Sequence, residues 1–144
     1  MAPVLKVKRL RPAARLPVQA TEGASGLDLF ACLEQGELMV GPTPLLVPTG
    51  IAIELPPGYE AQVRPRSGLS LQGVMVALGT IDADYRGELL VTMYTLPGLP
   101  PYVIRHGDRI AQLVVSRLEP LPVVEVQELS PTPRGARGHG STGR

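Results

Sequence analysis

Apolar and polar residues alternate with a period of two along several short stretches of the chain. In the stretch 59–64, which reads Tyr-Glu-Ala-Gln-Val-Arg, every second residue is apolar, and the stretches 51–55 and 5–8 show the same alternation. Because successive side chains of a strand point to opposite faces of a sheet, the pattern predicts half-buried β-strands. The turn signal Pro56-Pro57-Gly58 predicts that 51–55 and 59–64 pair as a hairpin.

Four more stretches are rich in β-branched or apolar residues and are separated by glycines and prolines: 88–95, 102–105, 110–118 and 123–127. Short strands at this spacing are typical of an all-β barrel or sandwich. Only the segment 67–72 has the pattern of a short helix, for which Ser67 is a suitable N-cap. The sixteen glycines and sixteen prolines of the chain agree with this fold class, since both residues favour turns over long helices.

The composition changes near the end of the chain. With 144 residues, the protein has the size of one ordinary domain. From Ser130 onward almost no residue could be buried, and we therefore predict a β-domain at 1–129 and a flexible glycine-rich arm at 130–144. Composition alone favours a solvated tail for this arm. Its many donors and glycines would also suit an arm that wraps a polyphosphate and opens again to release product.

Fourteen Lys and Arg against thirteen Asp and Glu leave a formal charge of +1. This near balance argues against binding to nucleic acid or to an anionic membrane, so any recognition of phosphate must be local. The single cysteine, Cys32, cannot form an internal disulfide, which fits a reducing compartment. No apolar run approaches the roughly 20 residues that span a bilayer, and the first residues lack the order of a secretory signal. A cytoplasmic location is therefore expected.

The densest polar cluster is the segment 79–88, Gly-Thr-Ile-Asp-Ala-Asp-Tyr-Arg-Gly-Glu, which lies between two predicted strands. One interpretation is an exposed hairpin tip, because surface turns favour Asp and Gly. The alternative is a pocket in which backbone groups face a ligand and Asp82 activates a water molecule. Taken alone, the segment favours the exposed tip.

Two further clusters carry charge. Arg66, Ser67 and Gly68 stand at the start of the predicted helix, where unpaired N–H groups together with an arginine suit an anion. Asp108 and Arg109 follow a tight turn further along the chain. On their own, these two residues indicate no more than a surface ion pair.

The order of the clusters along the chain is more specific than any one of them. Five segments resemble, in order, the five motifs of the trimeric dUTPase family: 24–29 (Ala-Ser-Gly-Leu-Asp-Leu), 65–68 (Pro-Arg-Ser-Gly), 79–87, 107–113 (Gly-Asp-Arg-Ile-Ala-Gln-Leu) and the glycine-rich end 134–143. The resemblance covers nearly the whole chain. Five matches in one order outweigh the simpler interpretation of each cluster.

The resemblance implies a distorted antiparallel barrel of jelly-roll type that assembles as a homotrimer, with three active sites between subunits. The implied activity is that of a dUTP diphosphatase, which uses Mg²⁺ and hydrolyses dUTP to dUMP and pyrophosphate. This reaction lowers dUTP and supplies dUMP for thymidylate synthesis. Asp82 matches the carboxylate that deprotonates the attacking water, which strikes the α-phosphorus.

The resemblance also assigns the other site residues. The hairpin from about 76 to 90 holds uracil through main-chain groups, and the ring matching Tyr85 packs under the deoxyribose and leaves no room for a 2′-hydroxyl. Asp28 matches a carboxylate that reaches Mg²⁺ through water, which suits a metal that keeps its hydration shell. Arg134 matches an arginine that the arm of another subunit brings onto the phosphates. The implied substrate-binding residues are Arg66, Ser67, Gly68, Val76, Thr80, Ile81, Tyr85, Leu90, Gln112, Arg134, His139, Gly140 and Ser141.

Two positions depart from the family's pattern. His139 stands where the family usually has a phenylalanine that stacks over the uracil, and an imidazole ring is also able to stack. Val76 stands where many bacterial members have an asparagine. If that asparagine lends only its backbone, nothing is lost; if its amide orders a water molecule, the selectivity for the base is looser here.

Two rival functions remain at this point. A dCTP deaminase shares the fold, but that family typically reads Arg-Ser-Ser where this chain has Arg66-Ser67-Gly68, and it lacks both the hairpin sequence and the glycine-rich end. A non-catalytic trimeric module that senses dUTP or binds a partner protein is a rival from another class, since a fold does not fix a function. The presence of both Asp82 and Arg134 argues against such a module.

Overall fold

The computed structural model describes residues 2–140 and 142–143, which form twelve short strands and one short helix. The strands are β1 Lys6–Arg9, β2 Val18–Gln19, β3 Leu27–Phe30, β4 Glu37–Val40, β5 Leu45–Pro48, β6 Ile51–Glu54, β7 Tyr59–Arg64, β8 Val74–Val76, β9 Gly79–Ile81, β10 Leu90–Thr95, β11 Tyr102–Arg105 and β12 Arg109–Arg117. The helix, α1, is Ser67–Leu71. Within the described ranges no helix is long and apolar enough to cross a membrane. Ser141, a predicted substrate-binding residue, lies outside the described residues.

The strands pair only in the antiparallel sense and are distributed over four small sheets. The largest has the order β2-β3-β12-β7-β9, a second has the order β5-β10-β8, and two pairs are β1-β6 and β11-β4. Non-consecutive strands lie side by side in every sheet, so most pairings join distant parts of the chain. The predicted all-β fold with one short helix is confirmed.

One hydrophobic core joins the sheets. Leu29 of β3, Met93 of β10, Ile104 of β11 and Leu113 of β12 are each fully buried at 0% exposure and belong to a single cluster of packed side chains. Burial of each such side chain stabilises the fold by about 1.5–3 kcal/mol. The alternation predicted for β7 is confirmed, because its central apolar residues Ala61 and Val63 are buried and Arg64 is exposed.

The hairpin predicted between 51–55 and 59–64 is wrong. Strand β6 pairs with β1, whereas β7 pairs with β12 and β9. The turn at Pro56-Pro57-Gly58 does form, and the Tyr59 N–H donates to the Pro56 carbonyl at 3.3 Å. A turn signal therefore fixed the change of direction, while packing against distant segments decided the partner of each strand.

Two local predictions also fail. The segment 123–127 is not a strand in the described chain, and Val123 is 99% exposed. A strand needs a partner for its backbone hydrogen bonds, and this segment has none within the described residues. Ser67 is not the helix cap, because the cap is Arg66 and no side chain donates or accepts a capping bond there.

The last strand ends at Arg117, and every described residue from Ser116 onward is exposed. The exposed part of the chain thus begins well before the composition changes at Ser130. The division into a domain at 1–129 and an arm at 130–144 stays a prediction.

Candidate active site

A cleft of about 250 Å³ opens beside the turn that connects β9 to β10. We call it the hairpin cleft. It brings together five of the residues that the sequence predicts for the site, with four of their neighbours as the remaining walls. The lining residues are Thr80, Ile81, Asp82, Tyr85 and Leu90, together with Val63, Gly79, Glu88 and Leu89. Its walls are mainly apolar side chains and strand backbone, which suits a flat ring that is recognised through main-chain groups.

Asp82 is the first residue after β9 and lies at the rim of the hairpin cleft. Its carbonyl accepts a hydrogen bond of 3.1 Å from the Tyr85 N–H, which closes a tight turn. The side chain is exposed. An exposed carboxylate at the mouth of an apolar cleft is free to accept a proton from a water molecule beside a bound ligand.

The Tyr85 ring forms one wall of the hairpin cleft. Its hydroxyl donates to the Glu88 carbonyl at 2.9 Å. The ring also lies so close to Gly87 that a Cβ atom at that position would collide with it. The absence of a side chain at Gly87 therefore lets the ring fold back over the turn, where it remains 45% exposed.

Glu88 is a site residue for which the sequence suggested no role. Its carboxylate pairs with Arg11 through two hydrogen bonds and accepts a third, of 2.8 Å, from the Gly50 N–H. Burial by itself would raise the pKa of Glu88, but these hydrogen bonds and the charge of Arg11 outweigh it and leave the pKa below its usual value. The same hydrogen bonding to Glu88 raises the pKa of Arg11. No local motif reveals this pair, because its members lie 77 residues apart.

A second and larger cleft, of about 670 Å³, lies between the start of α1 and strand β11. We call it the arginine cleft. Among its lining residues are Arg66, Arg105 and Arg109, with Gly68 at the start of the helix and Asp108 as the one acid. Three guanidinium groups around one opening outnumber the single lining acid and suit the recognition of phosphates, and one of them, Arg105, also pairs with Glu37 at 3.4 Å. Ser67 is exposed at the first position of α1 but does not line the cleft.

Asp28 lies behind this cleft and is only 8% exposed. Its carboxylate oxygens lie 3.8 Å from Arg66 Nε and 3.6 Å from Arg109 Nη1, and Arg66 Nη1 also donates to the Arg109 carbonyl at 3.1 Å. The surface pair suggested for Asp108 and Arg109 does not form, because the Asp108 carboxylate accepts the Arg105 N–H instead. Asp28 thus holds two arginines of the cleft in place.

Gln112 fixes the turn in front of α1. It lies opposite Asp28 on one side of β12 and opposite Arg64 on the other. Its side-chain amide donates to the Pro65 carbonyl at 3.0 Å. In the described chain the Gln112 side chain therefore supports the segment that carries Arg66.

The hairpin cleft and the arginine cleft share no lining residue. Strand β7 contributes Val63 to the hairpin cleft, opposite Gly79, and it ends at Arg64, two residues before Arg66. Asp82 is further from that end, because the residue before it, Ile81, lies opposite Ala61. The three steps along the strand from Ala61 to Arg64 correspond to roughly 10 Å at about 3.3 Å per residue. Within one chain, the predicted base and the predicted phosphate-binding arginine therefore do not share a pocket.

The remaining predicted residues lie outside both clefts. Val76 is 6% exposed in the core, so only its backbone is available to a ligand. Arg134, His139 and Gly140 are exposed. Arg134 Nε donates to the Arg137 carbonyl at 2.7 Å, and Arg137 Nε donates back to the Arg134 carbonyl at 3.2 Å. As far as the structure describes it, the arm is held only by such local bonds.

Comparison with known proteins agrees with these features. A family model described as dUTPase matches residues 13–143. A deoxyuridine 5′-triphosphate nucleotidohydrolase of Caldanaerobacter subterraneus subsp. tengcongensis is 48% identical over 149 residues, with 99% of each chain covered. The protein of that name from Treponema pallidum subsp. pallidum is 52% identical over 136 residues, with 92% of each covered.

Solved structures show the same likeness. The dUTPase of Staphylococcus bacteriophage 80alpha with dUpNHpp superimposes with a TM-score of 0.82 at 25% identity, covering 98% of this chain and 99% of that one. A mutant dUTPase from phage phi11 of S. aureus, described with a structural Mg(II) ion, has a TM-score of 0.76 at 24% identity and covers 87% of this chain and 97% of its own. These neighbours confirm the predicted type of fold.

Proposed function

The chain belongs to the dUTPase family, and we propose how its active site is built. It is an enzyme that hydrolyses dUTP to dUMP and pyrophosphate. In this proposal the hairpin cleft and the arginine cleft are two parts of one active site, which is completed between subunits. The observation that carries this proposal is that the two clefts share no lining residue within one chain, so that Asp82 and Arg66 lie in different clefts. A nucleotide bound in the hairpin cleft of one subunit would reach the arginines of a neighbour.

In the hairpin cleft, Thr80, Ile81 and Leu90 would hold the uracil through strand backbone, and Val76 would contribute its backbone alone. Donors and acceptors of the main chain distinguish uracil from cytosine, because the two bases present opposite patterns at position 4. The exposed face of Tyr85 would lie under the deoxyribose and leave no room for a 2′-hydroxyl. Its ring is already held at the cleft wall by Gly87 and Glu88.

Asp82 is the proposed general base. Its carboxylate would take a proton from a water molecule that attacks the α-phosphorus, while the bond from that phosphorus to the bridging oxygen breaks and pyrophosphate leaves. The exposed position of Asp82 at the cleft rim supports this role. General-base assistance of this kind contributes about 10²–10⁴-fold to the rate.

The arginine cleft would neutralise the phosphates. Arg66 is the proposed direct contact, supported by the N–H groups of Ser67 and Gly68 and kept in place by Asp28. Gln112 would act next to Arg66, since its amide already supports the Pro65 turn. Fixed charges in a partly enclosed site stabilise the negative charge that moves onto the leaving pyrophosphate.

The arm would close over the bound nucleotide. Arg134, brought from another subunit, would contact the terminal phosphates, and His139 would stack over the uracil with Gly140 and Ser141 beside it. The exposure of the arm and its purely local hydrogen bonds within the described residues support such mobility. Closure excludes water other than the attacking molecule, and opening releases product.

Mg²⁺ would be held mostly by the triphosphate. The described residues contain no group of three acidic, histidine or cysteine side chains that could hold a metal by themselves. Asp28 fits an indirect role, because its buried Oδ2 has no hydrogen-bond partner in the described structure, with Arg109 Nη1 lying 3.6 Å away. The ion would supply charge neutralisation on the phosphates.

Exposed apolar side chains support assembly of the subunits. Leu71 is 90% exposed and Leu78 is 74% exposed, close to the arginine cleft and the hairpin cleft respectively. The segment after β12 adds an exposed apolar series: Leu121 at 81%, Val123 at 99%, Val124 at 74%, Val126 at 55% and Leu129 at 86%. So much exposed apolar surface marks an interface, and we propose that it is buried in a homotrimer.

The buried free thiol of Cys32 supports a reducing cytoplasm as the location. The net charge of +1 supports the expectation that neither nucleic acid nor membrane is a partner.

The function is tested by mixing the purified protein with Mg²⁺ and, separately, dUTP, dCTP, dTTP and UTP, and by measuring pyrophosphate. We expect release from dUTP alone. Analytical ultracentrifugation of the same sample should give three times the 15.3 kDa mass of the chain. Release from dCTP without release from dUTP would contradict the activity, and a monomer with full activity would contradict the shared site.

A further inference from the structure

Glu88 ties together three distant parts of the chain at the base of the hairpin cleft. Both terminal nitrogens of Arg11 donate to its carboxylate, with Nη1 lying 3.3 Å from Oε1. The Gly50 N–H donates to the same carboxylate at 2.8 Å. The two side chains are only 30% and 22% exposed. A paired arginine fork in such a partly buried setting fixes direction as well as distance.

The backbone around Glu88 is anchored as firmly as its side chain. The next residue, Leu89, donates its N–H to the Ile51 carbonyl at 2.9 Å and accepts a hydrogen bond of 2.6 Å from the Thr49 hydroxyl. On the other side of the ion pair, the Leu10 N–H donates to the Gly50 carbonyl at 2.7 Å. Arg11 is therefore itself held against the same turn that holds Glu88.

Tyr85 is connected directly to this anchored residue. Its hydroxyl donates to the Glu88 carbonyl at 2.9 Å. Every residue from Asp82 to Arg86 is exposed. Apart from the bond to Glu88, the turn is held by the Tyr85 N–H bond to the Asp82 carbonyl and by the exposed ion pair of Arg86 with Glu54 at 3.8 Å. The hydroxyl end of the ring, which none of these other bonds holds, therefore depends on the position of the Glu88 backbone.

We propose that Arg11 is a positioning residue for sugar selection, which acts through Glu88 to keep the Tyr85 ring rigid against the sugar. This inference rests on the role of Tyr85 in the proposed function. The Tyr85 ring excludes a 2′-hydroxyl only if the ring cannot move aside. A displacement of a positioned group by about 1 Å is enough to change reaction rates by up to about 10²-fold. Arg11 does not line the hairpin cleft, so it is not a catalytic residue.

The test compares kcat/KM for dUTP with kcat/KM for UTP in the parent and in Arg11→Ala. We expect the dUTP-to-UTP ratio to fall by about ten- to hundredfold, mainly because UTP becomes a substrate. Arg11→Lys should fall in between, because an ammonium keeps the charge but not the paired geometry. A ratio that stays within twofold of the parent in Arg11→Ala would overturn the inference.

Lys8→Ala is the matched control. It removes an exposed cation from strand β1, and among the described residues Lys8 forms no ion pair. Lys6 is not suitable, because its partner Glu54 also pairs with Arg86, the residue next to Tyr85. General loosening of the N-terminal strand would affect both variants, whereas sugar selection should change only in Arg11→Ala. Equal loss of selectivity in the control would also overturn the inference. The ratio compares two substrates in one sample, so a difference in the amount of folded protein cancels.

Tyr85→Ala separates this inference from the proposed function. If Tyr85→Ala keeps the parent's ratio, the ring does not select the sugar, and both the proposed role of Tyr85 and the inference are overturned. If Tyr85→Ala loses selectivity and Arg11→Ala does not, only the inference fails. Should Arg11→Ala not fold, Tyr85→Phe tests the same connection, because it keeps the ring and removes the bond to Glu88. Unchanged selectivity in Tyr85→Phe would overturn the inference.

Discussion

Asp82 and Asp84 lie two residues apart in one turn, and both side chains are exposed, which makes Asp84 a matched control for the proposed base. Asp82→Asn should lower kcat for dUTP by about 10²–10⁴-fold and leave the affinity for a non-hydrolysable dUTP analogue within a few-fold of the parent. Only Asp82 lines the hairpin cleft, so Asp84→Asn should turn over at nearly the parental rate. Similar turnover in the two variants would remove Asp82 from the role of base.

Glu88 gives a prediction for the pH dependence of stability. Its pKa is lowered in the folded state from an ordinary value of 4.5. A carboxylate with a lowered pKa contributes stability above its ordinary value, and this contribution is lost as the pH falls through the folded value. The free energy of unfolding of the parent should therefore decline more steeply below pH 4.5 than that of Glu88→Gln. Urea unfolding at a series of pH values measures both, and parallel profiles would contradict the prediction.

Site residues that belong to a contiguous motif could be predicted from the sequence. Asp82, Tyr85 and Arg66 stand in contiguous motifs, and each lines a cleft. Arg11 stands in no motif, and its partner lies 77 residues away. A pair of that kind exists only after the chain has folded, so neither composition nor local pattern could indicate it.

At the scale of elements, the turn between β5 and β6 tests how tightly the sheets are joined. Gly50 has φ +72°, and a Cβ there would lie 2.8 Å from Ala14 Cβ and 2.9 Å from Cys32 Sγ. Gly50→Ala should lower the free energy of unfolding by about 1–2 kcal/mol from the backbone conformation and by about 1–3 kcal/mol from the collision. Urea unfolding of the purified variant measures this loss.

Gly58→Ala is the control for that variant. Gly58 also has a positive φ, +83°, but an added Cβ would meet no atom within 4 Å. It should lose only the backbone contribution. If both variants lose the same amount, the close packing around Gly50 does not contribute to stability.

Strand positions were easier to predict than strand partners. Strands β7, β11 and β12 occur within one residue of the predicted positions, because alternation and turn signals are local. The partners of β6 and β7 were predicted wrongly, because pairing depends on which distant faces pack together. The segment 123–127 has strand composition but no partner within the described chain. Its exposure is what the proposed homotrimer would require of a segment that pairs with another subunit.

For the assembled protein, two truncations distinguish closure of the C-terminal arm over the active site from assembly of the subunits into a trimer. Removal of residues 130–144 should leave the trimer intact and lower kcat by at least about 10²-fold, because the arm arginine no longer neutralises the phosphates. Removal of residues 119–144 also deletes the exposed apolar side chains from Leu121 to Leu129, and it should dissociate the trimer. Analytical ultracentrifugation and dUTP turnover measure the two effects. Full turnover after the shorter deletion would show that the arm is a solvated appendage.

Of all features of the protein, its assembly into subunits was the hardest to predict from the residues alone. Resemblance to a family implied sites between subunits, but no pattern in the residues required it. The observation that supports the proposed shared site is that the hairpin cleft and the arginine cleft share no lining residue within one chain.

Subunit complementation tests whether Asp82 and Arg66 of one active site come from different subunits. Asp82→Asn and Arg66→Ala trimers are each prepared, unfolded together in equal amounts, refolded, and assayed for dUTP hydrolysis. If each site takes Asp82 from one subunit and Arg66 from another, random assembly leaves about a quarter of the sites with both residues intact. The mixture should then recover about a quarter of the parental activity, although each variant alone is nearly inactive. A mixture no more active than the separate variants would mean that both residues come from one chain, and would contradict an active site shared between subunits.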